Sequence, residues 1–87
     1  MKLKPLLPEV ISRFNTIPRG TLVRHIAKVK VSGNYKDLET RIAWDVLHAT
    51  YRADEICDWY EEYNCNDSHI TTLVREALNK AFPDILN

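Results

Sequence analysis

Glycine is scarce in this chain: Gly20 and Gly33 are the only two in 87 residues. That excludes a Gly-rich phosphate loop or dinucleotide-binding turn, which need several glycines at fixed spacing. It also excludes collagen-like and low-complexity compositions. Cysteine is equally rare, and Cys57 and Cys65 are too few for a disulfide scaffold. No apolar run approaches the roughly 18 residues that cross a bilayer. Pro5 and Pro8 interrupt the first eight residues before a secretory core could form. A cytoplasmic location with reduced thiols is therefore expected. Net charge of one sign is missing too, since 12 basic residues balance 12 acidic ones.

What is present is 45% apolar residues, too many for a disordered tail of zero net charge. A chain of this length folds as one domain that buries roughly 60–65% of its unfolded surface. The charges are segregated along it. Residues 1–41 carry nine basic and three acidic side chains, and residues 42–87 carry three basic and nine acidic ones. A basic half suits nucleic acid, an acidic partner, or the acidic half of the same or another copy, so a homodimer is one option.

Apolar periodicity predicts a single helical domain over 1–87, an all-α compact bundle of four to five short helices. The first helix starts near Pro8, carries Val10, Ile11 and Phe14 on one stripe, and stops before Pro18. Thr21 is a candidate cap for the second, which ends near Val29. Val29-Lys30-Val31 alternates as a strand does, so an α+β fold with a short strand or hairpin near 22–31 is the structural alternative. Ser32-Gly33-Asn34 is a stop, with Asn34 as the next cap. The helix near 35–52 is apolar on most sides, which predicts that the others assemble around it. Its narrow polar remainder, Arg41, Asp45, His48 and Arg52, reads as an exposed ion-pair ladder. Asp54 and Asp67 are placed as caps for helices near 54–63 and 68–82.

No arrangement of nucleophile, base and oxyanion donors is legible, so no catalytic residue and no cofactor is expected. Zinc needs about four converging ligands, and the spacing of Cys57, Cys65 and His69 matches no compact finger, so no metal is expected. Two functions remain. The first is a small non-enzymatic regulatory or inhibitory protein acting by protein–protein contact. It would use partly exposed aromatics of the third and fourth helices, with Trp59 and Tyr63 as anchors and Asp58 and Glu62 as orienting charges. The second is a helix-turn-helix-like DNA-binding regulator. Ser68, His69, Thr72 and Arg75 would face the bases while Arg19, Arg24 and Lys28, with the rest of the basic 19–30 segment, grip phosphate. The acidic helix 54–63 beside that groove opposes phosphate.

Overall fold

Some helix starts in this chain are set by a side chain that accepts from a free backbone N–H, and others by a proline. The computed structural model describes residues 3–33 and 37–84. After a single 3-10 turn at Lys4–Leu6 come five helices: α1 (Leu7–Phe14), α2 (Arg19–Ser32), α3 (Leu38–Thr50), α4 (Ala53–Glu62) and α5 (Asp67–Ala81). No strand occurs among the described residues.

Pro8 sits in the first turn of α1, where its missing N–H loses nothing. Helix α2 starts earlier than a Thr21 cap implies, directly after extended Pro18. It also runs three residues past Val29, which corrects the strand alternative. In a strand, Val29 and Val31 would share a face. Here Val29 is buried and Val31 is 86% exposed. The helix ends when the Ser32 hydroxyl donates to the Val29 carbonyl at 2.7 Å and Gly33 turns left-handed at φ 63°.

Asp37 caps α3 by accepting from the N–H groups of Glu39 and Thr40 at 3.1 and 3.4 Å. The expected cap, Asn34, lies outside the described residues. Helix α4 begins at Ala53, one residue before the expected cap Asp54, and Glu55 accepts the Arg52 N–H at 2.8 Å. Asn66, not Asp67, caps α5. Its side-chain oxygen accepts from the His69 N–H while His69 Nδ1 accepts from the Asn66 N–H, both at 3.1 Å.

Ile42, Ala43, Val46 and Leu47 of α3 are fully buried, and α3 packs against α1, α2 and α5. Helix α5 is as central. Ile70, Leu73, Val74, Ala77 and Leu78 are fully buried against α1 and α3. Each of the larger side chains contributes about 1.5–3 kcal/mol by leaving water. Helix α4 adds Ile56 and Trp59 to the core, and the Trp59 ring meets Tyr51 edge-on at 4.9 Å. No described helix is long and apolar enough to cross a membrane.

Candidate docking surface

Arg41, Trp44, Asp45 and His48 point outward from α3, opposite its buried stripe. The expected ladder of Arg41, Asp45, His48 and Arg52 does not form, because Asp45, His48 and Arg52 take other partners. Asp45 meets His25 of α2, carboxylate to Nδ1 at 2.7 Å. Arg52 turns to Asp54 at 2.8 Å. His48 stacks on Trp44 with ring centres 5.7 Å apart.

Trp44 belongs to a more specific arrangement. Its indole N–H donates to the Thr71 hydroxyl of α5 at 3.0 Å. One turn earlier on α5, Asp67 accepts the Tyr60 hydroxyl of α4. These two cross-links frame a cleft of about 540 Å³ between three helices. Trp44 and His48 form one wall; Ala53, Ile56, Cys57 and Tyr60 form the other; Asp67 and Thr71 close the end on α5. Tyr60 is pushed up to about 12, first by its hydrogen bond to Asp67 and then by burial. Ionising it would remove that bond and set two negative charges side by side. The phenol is therefore a fixed donor at neutral pH.

The two cysteines differ in burial. Cys57 is exposed at the cleft. Cys65 is half-buried, donates to the Trp59 carbonyl at 3.3 Å, and has its thiol pushed up by burial. Among the described residues, no three His, Cys, Asp or Glu side chains gather as metal ligands would.

The residues expected to hold a protein partner separate. Trp59 is 6% exposed and is a core residue, not a surface anchor. Helical period placed it on the apolar stripe of α4, and the fold turns that stripe inward against Tyr51. Tyr63 is half-buried against the core. Asp58 and Glu62 do reach the surface. They border a shallow depression with Glu9, Glu55 and Arg13, whose guanidinium lies 4.7 Å over the Tyr51 ring. The Tyr51 hydroxyl is buried there without a hydrogen-bond partner among the described residues, and burial above all pushes it up to about 12.

Of the residues expected to read DNA, Ser68, His69 and Thr72 are exposed, but most of the set is tied up in contacts within the chain. His69 is bound into the α5 cap. The Thr72 hydroxyl donates to the Ser68 carbonyl at 3.0 Å. Arg75 lies 3.5 Å from both Asp37 and Glu39 at the start of α3. Arg19 pairs with Asp84 at 3.1 Å. Arg24 and Lys28 remain exposed on α2.

What the sequence did not reveal is the joint placement of Trp44, His48 and Tyr60. Its one signal was a Trp and a His four apart on an outward helix face. Comparison with protein families, with curated proteins and with solved structures finds no match to this chain.

Proposed function

We propose that this chain is a non-enzymatic regulatory or inhibitory protein that works by gripping a protein partner in the α3–α4–α5 cleft. The observation that carries this is the bracing of its two aromatic walls, Trp44 on Thr71 and Tyr60 on Asp67. Half-buried Trp and Tyr are the side chains that dominate protein interfaces. Walls already held by hydrogen bonds lose little rotamer freedom when a ligand arrives. The acidic residues Asp58, Glu61 and Asp67 around α4 and the cleft favour a partner that combines an apolar anchor with basic neighbours.

DNA binding through α5 is the second reading, with less support. It would have to release Arg75 from two carboxylates and His69 from its cap. It would also bring the acidic α4 toward phosphate.

Capture from a nuclease-treated extract of the source organism tests the first reading. Cys57→Trp fills the cleft from an exposed position. The wild-type chain should retain a specific partner and the variant should lose it with its helicity unchanged. Equal retention by both sinks the cleft reading. Salt-sensitive binding of mixed duplex DNA would favour the second.

A further inference from the structure

The molecule is neutral, yet its unpaired charges do not neutralise one another within the fold. Lys28 and Lys30 on α2 meet no carboxylate among the described residues, and Arg24 reaches only the Thr21 hydroxyl at 3.4 Å. On α4, Asp58, Glu61 and Glu62 are exposed, and none pairs with a described cation. Described ion pairs do not join α2 to α4.

The two helices flank the outward ridge of α3. Helix α2 approaches on the Asp45 side through His25, and α4 on the Trp44 side through the cleft. The outer ridge of α2, opposite its buried Leu22, Ile26 and Val29, is Gly20, Arg24, Ala27 and Val31. Their spacing of four, three and four residues keeps them on one line of the helix. Val31 and Val23, 86% and 51% exposed, are the exposed large apolar side chains among the described residues. A methyl group on Gly20 would meet nothing within 4 Å, so no internal packing calls for glycine there. Bare backbone at that position, with Ala27 two turns on, admits a neighbouring helix closely.

We propose that two copies of this chain associate about a two-fold axis near the outer ridge of α3. The ridge of α2 from each copy then lies along α4 of the other, Arg24 and Lys28 facing Asp58 and Glu61, with Val31 at the mouth of the cleft. Both contacts form at once, so the assembly closes as a dimer and does not grow. This pairing rests on the reading of the cleft as a docking groove, and it makes dimerisation a competitor of any other occupant.

The test is sedimentation equilibrium on the full chain over a concentration series, with helicity checked by circular dichroism. Wild type should rise from 10.1 kDa toward twice that mass, and added salt should reverse it. Arg24→Glu with Lys28→Glu, or Asp58→Lys with Glu61→Lys, should each weaken association more than about tenfold by setting like charges together. An equimolar mixture of the two double variants should dimerise again, because each interface then pairs opposite charges. Wild type that stays at monomer mass overturns the dimer, as do single double-variants that associate normally or a mixture that fails. A monomer that binds duplex DNA through Arg24 and Lys28 assigns the ridge to phosphate and also overturns it. Partner capture that remains sensitive to Cys57→Trp in a monomeric protein separates failure of the dimer from failure of the cleft.

Discussion

The Trp44 indole and the Thr71 hydroxyl, 27 residues apart in sequence, meet at 3.0 Å and tie the outward side of α3 to α5. The donor is half-buried, so its loss is felt. Thr71→Val keeps the shape of the side chain and removes the acceptor. It should destabilise the fold by about 1 kcal/mol in urea or guanidinium denaturation. The emission of Trp44 should change as the ring is freed. Unaltered stability and emission would mean that the bond does not hold the wall.

The two tryptophans should respond in opposite ways. Trp59 is enclosed by the core and Trp44 stands at its edge. Trp59→Ala should cost about 3–5 kcal/mol, enough to unfold much of a small domain's population. Trp44→Ala should leave a folded chain that has lost its partner. Thermal melts of both variants, read with the capture assay, check this.

Alkaline titration probes Tyr60. Its folded value of about 12 lies above the ordinary 10, so the bond to Asp67 stabilises the fold fully below pH 10. That contribution is lost as pH rises from 10 through about 12, because the unfolded phenol ionises first. Tyr51 adds a loss of the same sign. Tyr60→Phe should flatten part of the decline in denaturation midpoints over this window, and an unchanged slope would count against the Asp67 bond.

Acid titration probes the start of α3. Bonds from the Thr40 hydroxyl and N–H hold the Asp37 carboxyl below the usual value, aided by Arg75. A depressed carboxyl stabilises the fold above its unfolded pKa and loses that contribution as pH falls through the folded one. Asp37→Ala removes the α3 cap and should lower the denaturation midpoint at neutral pH. The difference from wild type should narrow in acid, as denaturation at several pH values would register.

Much of the bundle was legible from period alone. The stripes of α1, α3 and α5 are the buried stripes, because burial of Ile, Leu and Val outweighs every local preference. Helix ends were less legible, since adjacent residues are equally competent caps. Asn66 and Asp67 both suit the role, and only the final turn geometry selects Asn66. The β-branched Val29–Val31 segment favours a strand locally, and burial of Val29 with the Gly33 turn overrides it. The surface was legible in charge but not in aromatics. Period puts Trp44 and Trp59 alike on apolar stripes, and which one stays at the surface depends on neighbours far away in sequence.

Both braces of the cleft end on the same rod. Thr71 and Asp67 sit one turn apart on α5, so the opposite walls share one ruler. A gap measured from a single ruler keeps its calibre when the rest of the molecule breathes. Were a partner to enter as proposed, such a gap would sort it by girth, where a flexible jaw would mould itself to slender and stout side chains alike.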